Sequence, residues 1–64
     1  MKKSKQMIIK ALLKHKEDGL TIQNLIDITK LARGTIKVSL LYLIIDGKVR
    51  EIEYTKNSKV YKIR

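Results

Sequence analysis

Two short stretches of this sequence carry side chains that can hold an anionic polymer. An arginine side chain can donate two hydrogen bonds to a guanine edge or to a phosphate, and a hydroxyl group can hydrogen-bond to any base. A valine methyl group can pack against the methyl group of thymine. A glycine also lets phosphate come close to the backbone. On a predicted helix, one exposed face presents Arg33, Gly34, Thr35, Lys37, Val38, Ser39 and Tyr42. A predicted hairpin tip presents Lys56, Asn57, Ser58 and Lys59. These residue types favour contact with nucleic acid.

No group of residues in the sequence has a spacing typical of catalysis or metal binding. The 64 residues include no cysteine, which excludes a zinc finger and a thiolate nucleophile. The single histidine, His15, cannot form a ligand cluster. No carboxylate pair, nucleophile–base pair or phosphate-binding loop is recognisable. We therefore expect no enzyme activity, no metal and no cofactor, and the sequence indicates no small-molecule ligand.

The charge of the chain is large and unevenly distributed. Fifteen Lys and Arg residues face six Asp and Glu residues, a net charge of +9. Residues 1–16 hold six lysines and no acid, residues 17–29 hold three acids and no base, and residues 30–64 hold nine bases and three acids. This segregation predicts a basic face and an anionic partner, with nucleic acid ahead of an acidic membrane surface.

The hydropathy pattern predicts three helices followed by a β-hairpin, an α+β fold in a single domain. Apolar residues recur at helical spacing over about 4–18, 22–29 and 33–46, and alternate with polar residues after residue 47. The polar cluster 55–59 separates the two strands. The residues that we expect to face the core are Met7, Ile8, Ala11, Leu12, His15, Ile22, Leu25, Ile26, Ile36, Leu40 and Leu43.

Capping residues mark the ends of these helices. Ser4 and Thr21 are predicted N-caps of the first and second helices. Gly19 and Gly47 are expected to end the first and third helices. Residues 1–4 are expected to form a flexible arm.

This order of elements resembles the winged helix-turn-helix family of small bacterial and archaeal regulators. The resemblance covers most of the chain and is carried by residues 20–25, residues 31–36, Leu40, Leu43 and residues 46–49. It implies a three-helix domain with a C-terminal wing. It also implies sequence-specific binding of double-stranded DNA in transcription regulation, with the third helix in the major groove and the basic wing on the backbone or minor groove.

The chain departs from the pattern of this family at three places. Lys30 stands in the turn where the family often has glycine, and a left-handed lysine costs about 1 kcal/mol. Ala32 stands where a serine or threonine usually caps the third helix, a loss of about 1 kcal/mol. Usually polar positions of that helix are apolar here, namely Val38, Leu41, Ile44 and Ile45.

The apolar residues of the third helix predict a symmetric homodimer. Leu41, Ile44 and Ile45 are expected to form its interface together with Ile9 or Leu13. Alternatively, the same residues close a tight three-helix core, or they dock a different protein, which would make the chain a protein-interaction module. A non-specific DNA-coating protein is a further alternative. An amphipathic helix on a membrane explains the first helix alone.

The longest apolar run, residues 40–45, is far shorter than a membrane span. We therefore expect a cytoplasmic protein that associates with the nucleoid when it is bound to DNA, without a membrane partner.

Overall fold

Three helices followed by an antiparallel hairpin make up the chain. The computed structural model describes residues 2–64, with side chains from residue 3 onward. The helices are α1 (Lys2–Lys14), α2 (Ile22–Thr29) and α3 (Arg33–Ile45), and the strands are β1 (Val49–Thr55) and β2 (Ser58–Ile63). The predicted α+β class and order of elements are confirmed.

A single apolar core joins all five elements. Its buried members are Ile8, Ala11, Leu12, Leu20, Leu25, Ile36, Leu40, Leu43, Val49 and Tyr61. Most come from the apolar faces that helical spacing predicts, and Leu20, Val49 and Tyr61 extend the core to the hairpin. Within residues 2–64, no helix has the length and apolar character needed to cross a membrane.

The bounds of α1 differ from the prediction at both ends. The helix begins at Lys2, so Ser4 lies inside its first turns and is not its N-cap. It ends at Lys14, and His15 is exposed instead of facing the core. A turn then runs to Gly19, whose amide donates to the His15 carbonyl at 2.8 Å and whose φ of 74° suits glycine. The predicted flexible arm covers helical residues 2–4 and Met1, which lies outside the described residues.

Reciprocal capping fixes the start of α2 where the sequence predicts it. The Thr21 hydroxyl accepts from the Asn24 amide at 3.0 Å, and the Asn24 side-chain oxygen accepts from the Thr21 amide at 3.1 Å. At the other end, Lys30 is left-handed with φ 62°, and its amide donates to the Ile26 carbonyl at 2.8 Å. The predicted strain at Lys30 is therefore present, and it turns the chain toward α3 within three residues.

The start of α3 lacks the usual side-chain cap. Ala32 is the N-cap residue and makes no side-chain hydrogen bond, as predicted. The helix ends at Ile45, one residue earlier than expected, with Asp46 as its C-cap. Gly47 then reverses the chain with φ 76°.

The hairpin is anchored to the helical layer by one extra bridge. Its turn consists of residues 56–57 alone, so the strands are longer than the predicted 55–59 loop allows. On the β2 side, Leu20 pairs with Tyr61 through two backbone hydrogen bonds of 3.0 and 2.8 Å. The Lys48 amide donates to the Leu43 carbonyl at 2.9 Å, which ties the base of β1 to α3. The hairpin therefore stands at a fixed position beside α3.

Candidate nucleic-acid interface

A groove of about 580 Å³ runs between α3 and the hairpin, with the start of α2 at one side. Four basic side chains line it: Arg33 and Lys37, one helical turn apart on α3, and Lys56 and Lys59 at the hairpin tip. All four are exposed. Asn57 and Ser58 complete the tip. The basic residues of the two predicted clusters thus line the same groove, although Lys37 and Lys56 are 19 positions apart in the chain.

The floor of this groove is apolar. Leu40, Leu41 and Ile44 line it: Leu40 is buried, Ile44 is half-buried against the core, and Leu41 is exposed. Because the apolar floor has no charged group that could pair with the basic side chains, these side chains can contact an anionic ligand from both sides of the groove. The groove can therefore hold the backbone of an anionic chain between α3 and the hairpin.

Glu51 is the one carboxylate among the described residues lining the groove, and Tyr61 engages it. The Tyr61 hydroxyl donates to Glu51 Oε2 at 3.0 Å. Burial, followed by this hydrogen bond and the negative charge of Glu51, raises the pKa of Tyr61 from 10.0 to about 12. Lys59 Nζ lies 4.0 Å from Glu51 Oε1, and both side chains are well exposed. Such a pair contributes at most about 1 kcal/mol, so Lys59 can exchange this contact for another anion.

A neutral amide orients Arg33. The Nη2 atom of Arg33 donates a hydrogen bond to Gln23 Oε1 at 3.1 Å, and Gln23 Nε2 donates one to Asp27 Oδ1 at 3.2 Å. In these hydrogen bonds Gln23 stands between the two charged groups, so the Asp27 carboxylate contacts Gln23 and not the guanidinium group of Arg33. Arg33 keeps its charge and its other donors for a ligand.

The face of α3 opposite the core is apolar. Gly34, Val38, Leu41 and Ile45 follow each other at intervals of four, three and four residues, and we call this stripe the α3 crest. The exposed fractions of Val38, Leu41 and Ile45 are 39%, 57% and 69%. The crest adjoins Arg33 and Lys37 on the groove side. The outermost surface of α3 is therefore apolar while one of its flanks is basic.

The structure separates the remaining predicted contact residues of α3. Ser39 is fully buried, which makes its predicted place on the exposed face wrong. It lies three residues after Ile36 and four before Leu43, so helical geometry turns it into the core. Thr35 is half-buried, and Tyr42 is exposed on the flank away from the groove. Lys5 Nζ lies 5.4 Å from the centroid of the Tyr42 ring, a cation–π contact.

The residues predicted for a dimer interface also fall into two groups, one exposed and one half-buried. Leu41 and Ile45 are exposed on the crest, while Ile44 is half-buried and faces the groove. On α1, Ile9 packs against the core and Leu13 is exposed. The alternative of a tight three-helix core therefore accounts for Ile44 and Ile9 but not for Leu41 and Ile45.

Sequence reasoning missed three groove residues. Gln23 gives no local signal, because its bond to Arg33 spans ten residues. Glu51 and Tyr61 are directly opposite each other in the hairpin register. Aligning the two strands on their alternation would have paired this acid with this phenol.

Comparisons of the chain with protein-family models, with curated proteins and with solved structures give no match.

Proposed function

We propose that this chain is a winged helix-turn-helix protein that binds double-stranded DNA through the groove between α3 and the hairpin. The observation that supports this most directly is the convergence of Arg33, Lys37, Lys56 and Lys59 on one groove. The groove carboxylate is bonded to Tyr61 and offsets only part of that charge. Four exposed cations on two projecting elements suit two phosphate rows better than a single small anion.

The helices provide the second part of the argument. A tight connection through left-handed Lys30 joins α2 to α3, and the N-terminal half of α3 projects beside the hairpin tip. Helix-turn-helix proteins place the start of such a helix in the major groove. Arg33 is then the residue best suited to a guanine edge, with Lys37 beside it and Val38 available for a thymine methyl.

The reading of bases is confined to the first half of α3 in this proposal. Beyond Val38, the crest continues as Leu41 and Ile45, which have no hydrogen-bonding groups. We therefore propose a small transcriptional regulator with a short recognition sequence for each copy. Most of its affinity then comes from phosphate contacts, and it acts on DNA in the cytoplasm.

The first test is the salt dependence of binding to a fluorescently labelled duplex. Three phosphate contacts, made by Lys37, Lys56 and Lys59, predict a slope of log K against log salt of about −2.7, and Lys37→Gln should reduce the size of that slope by about 0.9. Lys10→Gln is the matched control, because Lys10 is an exposed lysine on α1 outside the groove. If both variants change the slope equally, the groove is not the binding surface.

Selection from a random duplex pool tests sequence specificity. Enrichment of one motif supports a regulator, and Arg33→Ala should then cost about 1–3 kcal/mol on that motif and less on other sequences. Equal weakening on all sequences would make Arg33 a phosphate contact. Salt-sensitive binding without enrichment would instead indicate a DNA-coating protein. Absence of binding at moderate salt would refute the proposal.

A further inference from the structure

The base of the hairpin carries a second group of basic residues, on the face of the sheet that is turned away from the groove. Successive side chains of a strand point to opposite faces, and the odd-numbered Glu51, Lys59 and Tyr61 line the groove. The even-numbered residues at the base therefore face the other way. We call these residues the rear cluster: Lys48 and Arg50, just before and within β1, and Lys62 and Arg64, within and just after β2.

Two pairs of like charges face each other in the rear cluster. Arg50 is directly opposite Lys62 in the strand register, and two residues closer to the base the Arg64 amide donates to the Lys48 carbonyl at 3.1 Å. Three of these side chains are exposed, and that of Lys62 is half-buried. Like charges directly opposite each other destabilise a hairpin. The fold therefore concentrates positive charge at a cost in stability that an anionic ligand would relieve.

No acidic side chain among the described residues forms an ion pair with the rear cluster. Both acids of the strands, Glu51 and Glu53, have odd numbers and lie on the face of the sheet toward the groove. Glu17 and Asp18 lie in the turn after α1, which packs beside β2. Within the described part of the chain, the one ion pair is that of Lys59 with Glu51, so these two acids do not pair with the cluster either. The positive charge of the rear cluster is therefore available to a ligand.

We propose that the rear cluster binds the phosphate backbone of a second DNA duplex, so that one copy of the chain bridges two duplexes. This inference rests on the proposed function of the groove. Arg50 is six residues from Lys56 at the tip, which is about 20 Å along the strand at about 3.3 Å per residue. The rear cluster is thus at the other end and on the other face of the hairpin from the residues that hold the first duplex.

The side chains of the rear cluster favour a phosphate backbone over a membrane surface. Val49 and Ile63 lie between the two basic pairs and point inward, because Val49 is fully buried and Ile63 packs against the core. Binding at a membrane interface needs apolar side chains that enter the lipid, and the cluster has none. A phosphate backbone offers dense negative charge and accepts hydrogen bonds from both lysine and arginine.

A capture assay with two duplexes tests the bridging. One duplex is fixed to beads, a fluorescent duplex is free in solution, and wild type should capture the fluorescent duplex on the beads. With a salt slope of about 0.9 for each phosphate contact, two contacts add a factor of about 60 in affinity at about 0.1 M salt over about 1 M salt. The double variant Arg50→Gln, Lys62→Gln should therefore weaken capture about 60-fold at about 0.1 M salt. The matched control is Lys10→Gln, Lys14→Gln, which removes the same charge from two exposed lysines of α1.

A charge reversal separates loss of binding from loss of folding. Arg50→Glu replaces the like-charge pair with Lys62 by a pair of opposite charges. This variant should raise the midpoint of urea denaturation above that of wild type while it abolishes capture. An unchanged or lower midpoint would overturn the like-charge contact on which the inference depends.

Binding of a single fluorescent duplex at trace concentration, measured by anisotropy, distinguishes failure of the bridging from failure of the proposed function. Wild type that binds the trace duplex but captures no second duplex would overturn the bridging and leave the groove proposal standing. Equal capture by wild type and the Arg50→Gln, Lys62→Gln variant, or equal weakening in the α1 control, would also overturn the bridging. Absence of binding to the trace duplex would overturn both proposals. Binding of the protein to phosphatidylserine vesicles in place of a second duplex would assign the rear cluster to a membrane surface.

Discussion

Substitution of alanine for Gly19 tests whether the hairpin closes against the helical layer as described. Gly19 and Gly47 have nearly the same left-handed φ, 74° and 76°. A Cβ at Gly19 would lie 2.9 Å from the Tyr61 carbonyl oxygen and 2.7 Å from Lys62 Cγ, and would also meet Val60 Cγ1. A Cβ at Gly47 would meet no described atom within 4 Å. The two glycines share their backbone conformation and differ in their surroundings.

The expected costs follow from this difference. Left-handed strain alone costs about 1 kcal/mol at either position. At Gly19 the overpacking adds about 1–3 kcal/mol. The Tyr61 carbonyl can retreat only by weakening its bond to the Leu20 amide, a further cost of about 1 kcal/mol. We therefore expect a loss of about 3–5 kcal/mol for Gly19→Ala and about 1 kcal/mol for Gly47→Ala.

Urea denaturation followed by far-ultraviolet circular dichroism measures both variants. A domain of this size has a free energy of unfolding of only about 3–10 kcal/mol, so Gly19→Ala should bring it close to unfolding. Val60→Ala removes one of the atoms that the new Cβ would meet. The double variant should therefore lose less stability than the sum of its single changes. Equal losses of stability for Gly19→Ala and Gly47→Ala would refute the close contact between the hairpin and the turn that follows α1.

Three further predictions concern the described local strain and the buried phenol. Lys30→Gly should raise the free energy of unfolding by about 1 kcal/mol, because glycine adopts the left-handed φ without strain; urea denaturation measures it. Ala32→Ser should add about 1 kcal/mol by capping α3, with the same measurement. The raised pKa of Tyr61 favours the protonated folded state, so its contribution is complete below pH 10 and is lost as the pH rises through about 12. Tyr61→Phe should abolish this loss, about 2 kcal/mol by pH 12, in a comparison of stability at pH 8 and pH 12.

Each of these predictions has an outcome that contradicts it. Lys37→Gly, in the interior of α3, should lower the free energy of unfolding by about 1 kcal/mol. If Lys30→Gly and Lys37→Gly both raise the free energy of unfolding, relief of strain at Lys30 does not explain the gain. If Ala32→Ser is neutral, the new hydroxyl does not reach the free amides of α3. If wild type and Tyr61→Phe lose equal stability above pH 10, lysine titration explains the whole effect.

Local chemistry predicted most of the fold. The Thr21 cap, the bounds of α2 and most of the apolar faces of the helices depend on neighbours three or four residues away, and the structure has them as expected. Met7 and His15 are the exceptions, since Met7 is only half-buried and His15 is exposed. The strain at Lys30 and the missing cap at Ala32 were also predictable, because each depends on a single residue in a known turn. The start of α1 was not, since Ser4 offers a cap but nothing in the sequence stops the helix from extending to Lys2.

The candidate site was less predictable, because it depends on contacts between distant segments. The basic residues of α3 and the hairpin tip could be named from their types, but their convergence on one groove depends on the Leu20–Tyr61 bridge across 41 residues. The prediction puts Ser39 on the exposed face of α3 with the other polar residues of that helix. Its spacing from Ile36 and Leu43 indicates the opposite, and geometry outweighs residue type when a small hydroxyl fits into a core.

The bridge between Leu20 and Tyr61 also has a consequence for the DNA binding that we propose for the groove. Together with the bond from Lys48 to Leu43, it ties both strands of the hairpin to the helices before any partner arrives. The conformational entropy of ordering the groove backbone is thus lost during folding, and binding needs to immobilise only side chains such as Lys56 and Lys59. Association should therefore proceed as a near rigid-body encounter, with a rate governed by long-range attraction between charges and sensitive to ionic strength.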